Sequence, residues 1–196
     1  IPNLLGEGRR SVLSDIEFQL KIHDQPKCAR SCGLGEKGRR TIDPAPIVEL
    51  VIESTRLSES EVEKYLSQSY VMSCSILDDI GEIDVSRMAE SESNRPDLLM
   101  GSVVATSSLA EDEDGDKGCF FVFDDLSCRM TGSYRLMFKV VMVGSEREVG
   151  LPGWEKRRPF LATVESELFT VCNAKEFPGV SEPSALALSL RAQGCF

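Results

Sequence analysis

The sequence predicts an all-β sandwich closed by a C-terminal helix. Three observations carry that prediction. Ile16, Phe18, Leu20 and Ile22 alternate with Glu17, Gln19, Lys21 and His23, the period-2 pattern of a strand with one buried face. Further runs rich in β-branched and aromatic residues recur along the chain between turn-forming residues. Helical signals, by contrast, are confined to two short segments.

In chain order the strand-like segments are residues 16–23, 46–53, 70–78, 98–107, 118–123, 133–143 and 160–172. In the sixth, Tyr134, Leu136, Phe138, Val140 and Met142 share one face. Between Leu109 and Gly118 the run Ala-Glu-Asp-Glu-Asp-Gly-Asp-Lys reads as a hairpin connection with Asp-Gly at its turn. It fails as a calcium loop, because Gly115 follows Asp114 directly and no Glu closes a twelve-residue loop. The segment from Ser58 to Leu66 reads as a short helix, with Ser58 as its cap and Glu61 completing a capping box. A clearer helix runs from a cap at Ser181, through Pro183 in its first turn, to Gly194 at its end. Ala185, Leu186, Leu188 and Leu190 give it an apolar surface to dock on a sheet. Residues 81–97 are polar, acidic and aperiodic, and read as a loop or insertion. In Thr131-Gly-Ser-Tyr-Arg-Leu136 a Tyr opens a strand two residues before an inward-facing position. That arrangement resembles the tyrosine corner of immunoglobulin-like sandwiches.

A chain of 196 residues can bury roughly 70% of its unfolded surface. It divides into an N-terminal arm over residues 1–15 and a single domain over 16–196, with a helical and loop insertion around 54–97. Apolar content of 41% and charged content of 28% are ordinary for a soluble globular protein. No apolar run approaches the ~20 residues needed to span a bilayer, so no membrane association is expected. The start, Ile1-Pro-Asn-Leu-Leu, carries neither a secretory signal nor an initiator Met and reads as that of an excised domain.

Seven cysteines, an odd number with nothing pointing to secretion, read as reduced thiols of a cytosolic or nuclear protein. Cys28-x-x-x-Cys32 is not followed by a second pair, so neither a metal site nor a cofactor is expected. The single histidine, His23, would have to anchor any Ser/His/Asp or Cys/His site, yet it alternates onto a strand's polar face. No P-loop, Gly-x-Ser-x-Gly or dinucleotide fingerprint occurs. The expected protein is not an enzyme.

Charge is unevenly distributed. Within the run Gln25-Pro-Lys-Cys-Ala-Arg-Ser-Cys-Gly-Leu-Gly-Glu-Lys-Gly-Arg-Arg-Thr-Ile-Asp-Pro-Ala-Pro46, the window from Lys27 to Arg40 holds Lys27, Arg30, Lys37, Arg39 and Arg40 against Glu36 alone. Five cations against one anion give +4 in a chain whose net charge is −10, so the remainder sums to −14. Several Lys and Arg side chains together neutralise phosphate and release counterions, and an Arg fork can also read guanine. Gly33, Gly35 and Gly38 would let the backbone approach a duplex, and Pro44 and Pro46 fix the exit into the next strand. A solvated loop whose charges pair with the acidic body fits equally well. A second basic cluster, Lys156-Arg-Arg158 after Trp154, reads either as a further contact or as a loop packing its Trp on the sandwich.

The same run, as Gln25-Pro-x-x-Ala-Arg-x-Cys-Gly-x-Gly-Glu-Lys-x-Arg-Arg-x-Ile-Asp-Pro44, resembles the first block of the velvet family of fungal regulators. The resemblance resumes at Leu99-Met-Gly-Ser-Val-Val-Ala105, Gly118-Cys-Phe-Phe-Val-Phe-Asp-Asp-Leu-Ser-Cys-Arg129 and Gly132-Ser-Tyr-Arg-Leu-Met-Phe138. It closes on Phe169-Thr-Val-Cys-Asn-Ala-Lys-Glu-Phe-Pro-Gly179 and Ala192-Gln-Gly-Cys195. Ala45 departs from it, standing where the family usually has proline. The resemblance implies an immunoglobulin-like sandwich related to the Rel homology DNA-binding fold, and a nuclear transcription regulator of development, sporulation and secondary metabolism that shuttles with the cytoplasm. It implies double-stranded DNA as a partner, homodimers or heterodimers with other velvet proteins, and a methyltransferase-like regulator as a further partner. The family's DNA contacts map onto Lys37, Arg39 and Arg40, with Arg30 and Lys27 as further candidates. The alternative it leaves open is a dimerisation subunit with little DNA binding of its own.

Overall fold

The computed structural model describes residues 16–33, 38–86, 97–143 and 160–196. It is an all-β sandwich with, among the described residues, two helices, α1 (Glu59–Leu66) and the C-terminal α2 (Ala185–Ala192). One sheet has the order β1 (Glu17–Asp24), β3 (Ile47–Glu53), β8 (Lys117–Val122), β7 (Ser108–Glu111), all antiparallel. The other runs β2 (Cys28–Arg30), β12 (Phe169–Cys172), β10 (Gly132–Met142), β4 (Tyr70–Leu77), β6 (Val104–Thr106), with β11 (Ala162–Glu165) also pairing β10. A two-stranded ribbon, β5 (Leu99–Met100) and β9 (Ser127–Cys128), lies beside them.

Alternation decides what goes between the sheets. Val48, Leu50 and Ile52 of β3 and Cys119 and Phe121 of β8 share a core with Met72, Cys74 and Ile76 of β4 and Leu136, Phe138 and Val140 of β10. The Phe123 and Phe138 rings meet there at 5.1 Å between centroids. The opposite face of the first sheet is also covered. Ile47 and Phe120 point away from the main core and pack with Ala110 under Leu186 and Leu190 of α2. This is why β8 is a run of buried residues rather than an alternating one.

Several expectations are met and others are corrected. Residues 98–107 are not one strand, because Gly101 takes φ +101° and turns the chain between β5 and β6. Residues 160–172 split at Ser166, whose buried hydroxyl accepts the Leu136 N–H at 2.8 Å in place of a ladder carbonyl. The hairpin over residues 109–118 joins β7 to β8, and the Asp112 carboxylate accepts the amides of Asp114 and Asp116 at 2.9 and 2.8 Å. Ser58 and Glu61 open α1 as expected, the Glu61 carboxylate taking the Ser58 N–H at 2.9 Å. The cap of α2 is Ser184, not Ser181: its hydroxyl accepts the Ala187 N–H at 3.0 Å. A start at Ser181 would require Glu182 to be helical directly before Pro183, which the proline ring disfavours. Gly194 closes α2 at φ +79°, with its N–H on Arg191 O and the Cys195 N–H on Leu190 O, both at 3.0 Å. Tyr134 donates to the Thr131 carbonyl at 3.3 Å, the back-bond expected of a tyrosine corner. Residues 87–96 of the expected loop lie outside the described residues.

Burial pushes the Cys119 and Cys128 thiols up to about 12, and raises Cys74 well above its ordinary value. The folded state therefore holds these protons more tightly than the unfolded chain. That part of the stability is complete below an unfolded thiol's value near 9.0 and is lost as pH climbs towards about 12. Urea midpoints should fall between about pH 9 and 11.5, each such thiol contributing about 1.4 kcal/mol per pH unit above its unfolded value. A flat midpoint over that range would contradict the burial.

Candidate nucleic-acid interface

The basic run is held at its root by backbone pairing on both sides. Strand β2 lies parallel to β12, with Cys28 opposite Thr170 and Arg30 opposite Cys172, and the Ser31 N–H extends the ladder to Cys172 O at 2.9 Å. On its other side Cys28 exchanges hydrogen bonds with Asp43 at 3.0 and 2.8 Å. These pairings bring Cys28 and Asp43, near the two ends of the basic run, side by side.

On either side of residues 34–37 the run pairs with β9 and the residues flanking it. Cys32 and Gly33 donate to the carbonyls of Cys128 and Arg129 at 3.1 and 3.0 Å, and Ile42 donates to Leu126 O at 2.7 Å. Gly33 and Gly38 both have positive φ, +66° and +79°, where the chain turns out of and back into the root. Arg129 adds a staple that sequence reasoning missed: its Nε donates to Asp97 O at 3.0 Å and its Nη1 to Gly33 O at 3.1 Å. Its one sequence signal is its place at the end of the Asp-Leu-Ser-Cys-Arg block.

The expected contact residues divide. Arg39 turns inward: its Nε donates to Ser127 Oγ at 2.6 Å, its Nη2 meets Asp125 Oδ1 at 2.8 Å, and the same nitrogen reaches the Asp125 carbonyl. Gly101 makes room for this contact. A Cβ there would collide with the Asp125 carbonyl and come within 2.5 Å of Arg39 Nη2. Arg30 reaches beneath the Gly38 turn, where a Cβ would sit 3.4 Å from its Nη2, and its buried Nε has no partner among the described residues. Lys27 and Arg40 are exposed, with no side-chain hydrogen bond or ion pair among the described residues. Lys37, Trp154 and the 156–158 cluster lie outside the described residues.

Other chemistry-bearing groups are engaged in packing. The His23 Nε2 lies 2.8 Å from Glu49 Oε2, and its ring meets the Phe120 edge at 6.1 Å. Asp43 is buried and accepts the Ser181 N–H at 2.9 Å. Burial above all, then the charges of Asp43 and Cys172, raises the Cys28 thiol. Among the described residues no helix is long and apolar enough to cross a membrane.

A family model described as "Velvet factor" matches residues 18–96 and 82–196. This chain belongs to the velvet family. The sexual development regulator velC of Gibberella moniliformis is 47% identical across 100% of this velvet chain and 43% of its own length. The spore development regulator vosA of Beauveria bassiana is 44% identical over 90% of the chain and 63% of its own length. The developmental and secondary metabolism regulator ve1 of Gibberella zeae is 30% identical over 91% and 35%. The chain thus spans between 35% and 63% of the length of these velvet relatives.

Proposed function

We propose that this velvet chain is a DNA-binding regulator of fungal development, sporulation and secondary metabolism, acting in the nucleus as a homodimer or as a heterodimer with another velvet protein. The observation that carries the reading is the stapled loop. Its root is fixed by pairing to β12 and to the β5–β9 ribbon, and it leaves Arg40, with Lys27 just before β2, exposed and unpaired among the described residues. A rigid backbone presenting unpaired cations contacts phosphate with little ordering cost. The names of the velvet relatives, all regulators, agree with a non-catalytic role. A methyltransferase-like regulator as a further partner belongs to the same reading.

A second reading is favoured by one specific observation, the pairing of Arg39 with Asp125 in a chain of net charge −10. A loop with part of its charge neutralised makes a weaker footprint, and a more basic velvet partner would then supply the remainder. Fluorescence anisotropy of a labelled duplex from about 50 to 200 mM salt separates the two. The first predicts binding by this chain alone, log affinity falling against log salt with a slope of about −2 to −4. Binding only after a velvet partner is added selects the second. Absence of salt-dependent binding in both mixtures rejects both.

A further inference from the structure

We propose that Arg39 and Asp125 are a positioning pair: Arg39 acts on DNA through the shape of the loop and does not itself bind a phosphate. This rests on the DNA-binding reading above. Two of the three guanidinium nitrogens are engaged from within the protein, Nε by the buried Ser127 hydroxyl and Nη2 by the Asp125 carboxylate and carbonyl. A cation already paired this closely has little counterion charge left to release on a polyanion. The pairing is also built into the backbone. Gly101 lacks the side chain that would block Asp125, and the Ile42 N–H takes the neighbouring Leu126 carbonyl at 2.7 Å, so the turn between β8 and β9 is gripped at two successive residues. Arg40, the next residue, faces solvent. The Arg-Arg doublet therefore divides its work, one side chain anchoring the loop and the other presenting charge.

The contrary arrangement is that Asp125 competes with DNA for Arg39. The two differ in sign. Removing a competitor's negative charge tightens binding, whereas removing an anchor loosens it, even though the loop becomes more positive. They also differ at Arg39→Lys. A phosphate contact tolerates lysine, but an ammonium cannot span Ser127 and Asp125 as the planar fork does.

The test measures duplex affinity and amide hydrogen exchange for Arg39→Lys, Asp125→Asn and the double variant. Each single change should weaken binding about tenfold, the double should be no weaker than either single, and exchange at the Gly33 and Ile42 amides should rise at least about tenfold. Additive losses, or an Asp125→Asn protein that binds as well as or better than the parent, overturn the proposal. If the parent chain binds no duplex, alone or with a velvet partner, the DNA reading fails and exchange decides the pair separately. Faster exchange at both amides then sustains the anchor, and unchanged exchange removes it.

Discussion

Replacing Lys37 and Arg40 together by Glu lowers duplex affinity by at least about 10²-fold at physiological salt. Each cation lost as a phosphate contact is worth a few kcal/mol at most, and each anion gained repels the backbone over a Debye length of about 8 Å. Two such changes take the segment from Lys27 to Arg40 from +4 to neutral. Arg40 is exposed and has no partner to lose among the described residues, so its share of any stability change is expected to stay within about 0.5 kcal/mol. Arg39 is left out of the pair on purpose, because changing it would dismantle the Asp125 and Ser127 contacts and confuse folding with binding. Anisotropy titration beside a melting curve reads both quantities. Parental affinity in a double variant of parental stability would sink the loop as the interface.

Gly101→Ala is expected to be the most damaging single methyl in the described structure. The new Cβ meets the Asp125 carbonyl head-on, and the residue must still hold φ +101°. Backbone strain of this kind costs about 1–3 kcal/mol, and relief of the collision must push the β8–β9 turn away from Arg39. A total near 3 kcal/mol lowers the melting temperature of a domain this size by about 6–12 °C. Gly115→Ala is the internal control: it has φ +88° but nothing within 4 Å of its Cβ, so only the strain is added. The two variants should therefore differ clearly in differential scanning fluorimetry. Equal melting temperatures would mean that the close approach at Gly101 carries no energy.

The contrast between what was and was not legible follows the range of the interactions. The alternation of β1, the Ser58–Glu61 box, the Asp-Gly hairpin and the glycine end of α2 are settled by neighbours within a few residues, and each was readable directly. The cap of α2 moved by three residues because the proline constraint acts on Glu182, a local rule that the Ser-x-Pro pattern obscured. Strand β2 has only three residues, and its partner β12 is remote in sequence, so nothing in the run itself announces a strand. The clamp was invisible for the same reason. Arg39 and Asp125 are separated by 86 positions, and an arginine among basic residues carries no mark of its partner. The basic segment was thus legible as a charge pattern, while the pairing of Arg39 with Asp125 was not.

The parallel pairing of β2 with β12 sets an order of events during synthesis. The Cys172 thiol reaches the Ala29 carbonyl across 143 positions, and the Glu167 amide reaches the Gln25 side chain across 142. Pairings that close so much chain form slowly, and none can form until the later strand has been made. The basic segment is therefore translated early and given its shape late. A ribosome-bound chain halted before Phe169 would hold the hairpin of β7 and β8 and the partners of Arg39 and Ile42, yet lack the edge that β2 pairs with. The frame on which the first basic residues of the run are set is thus completed by β12, the last strand among the described residues.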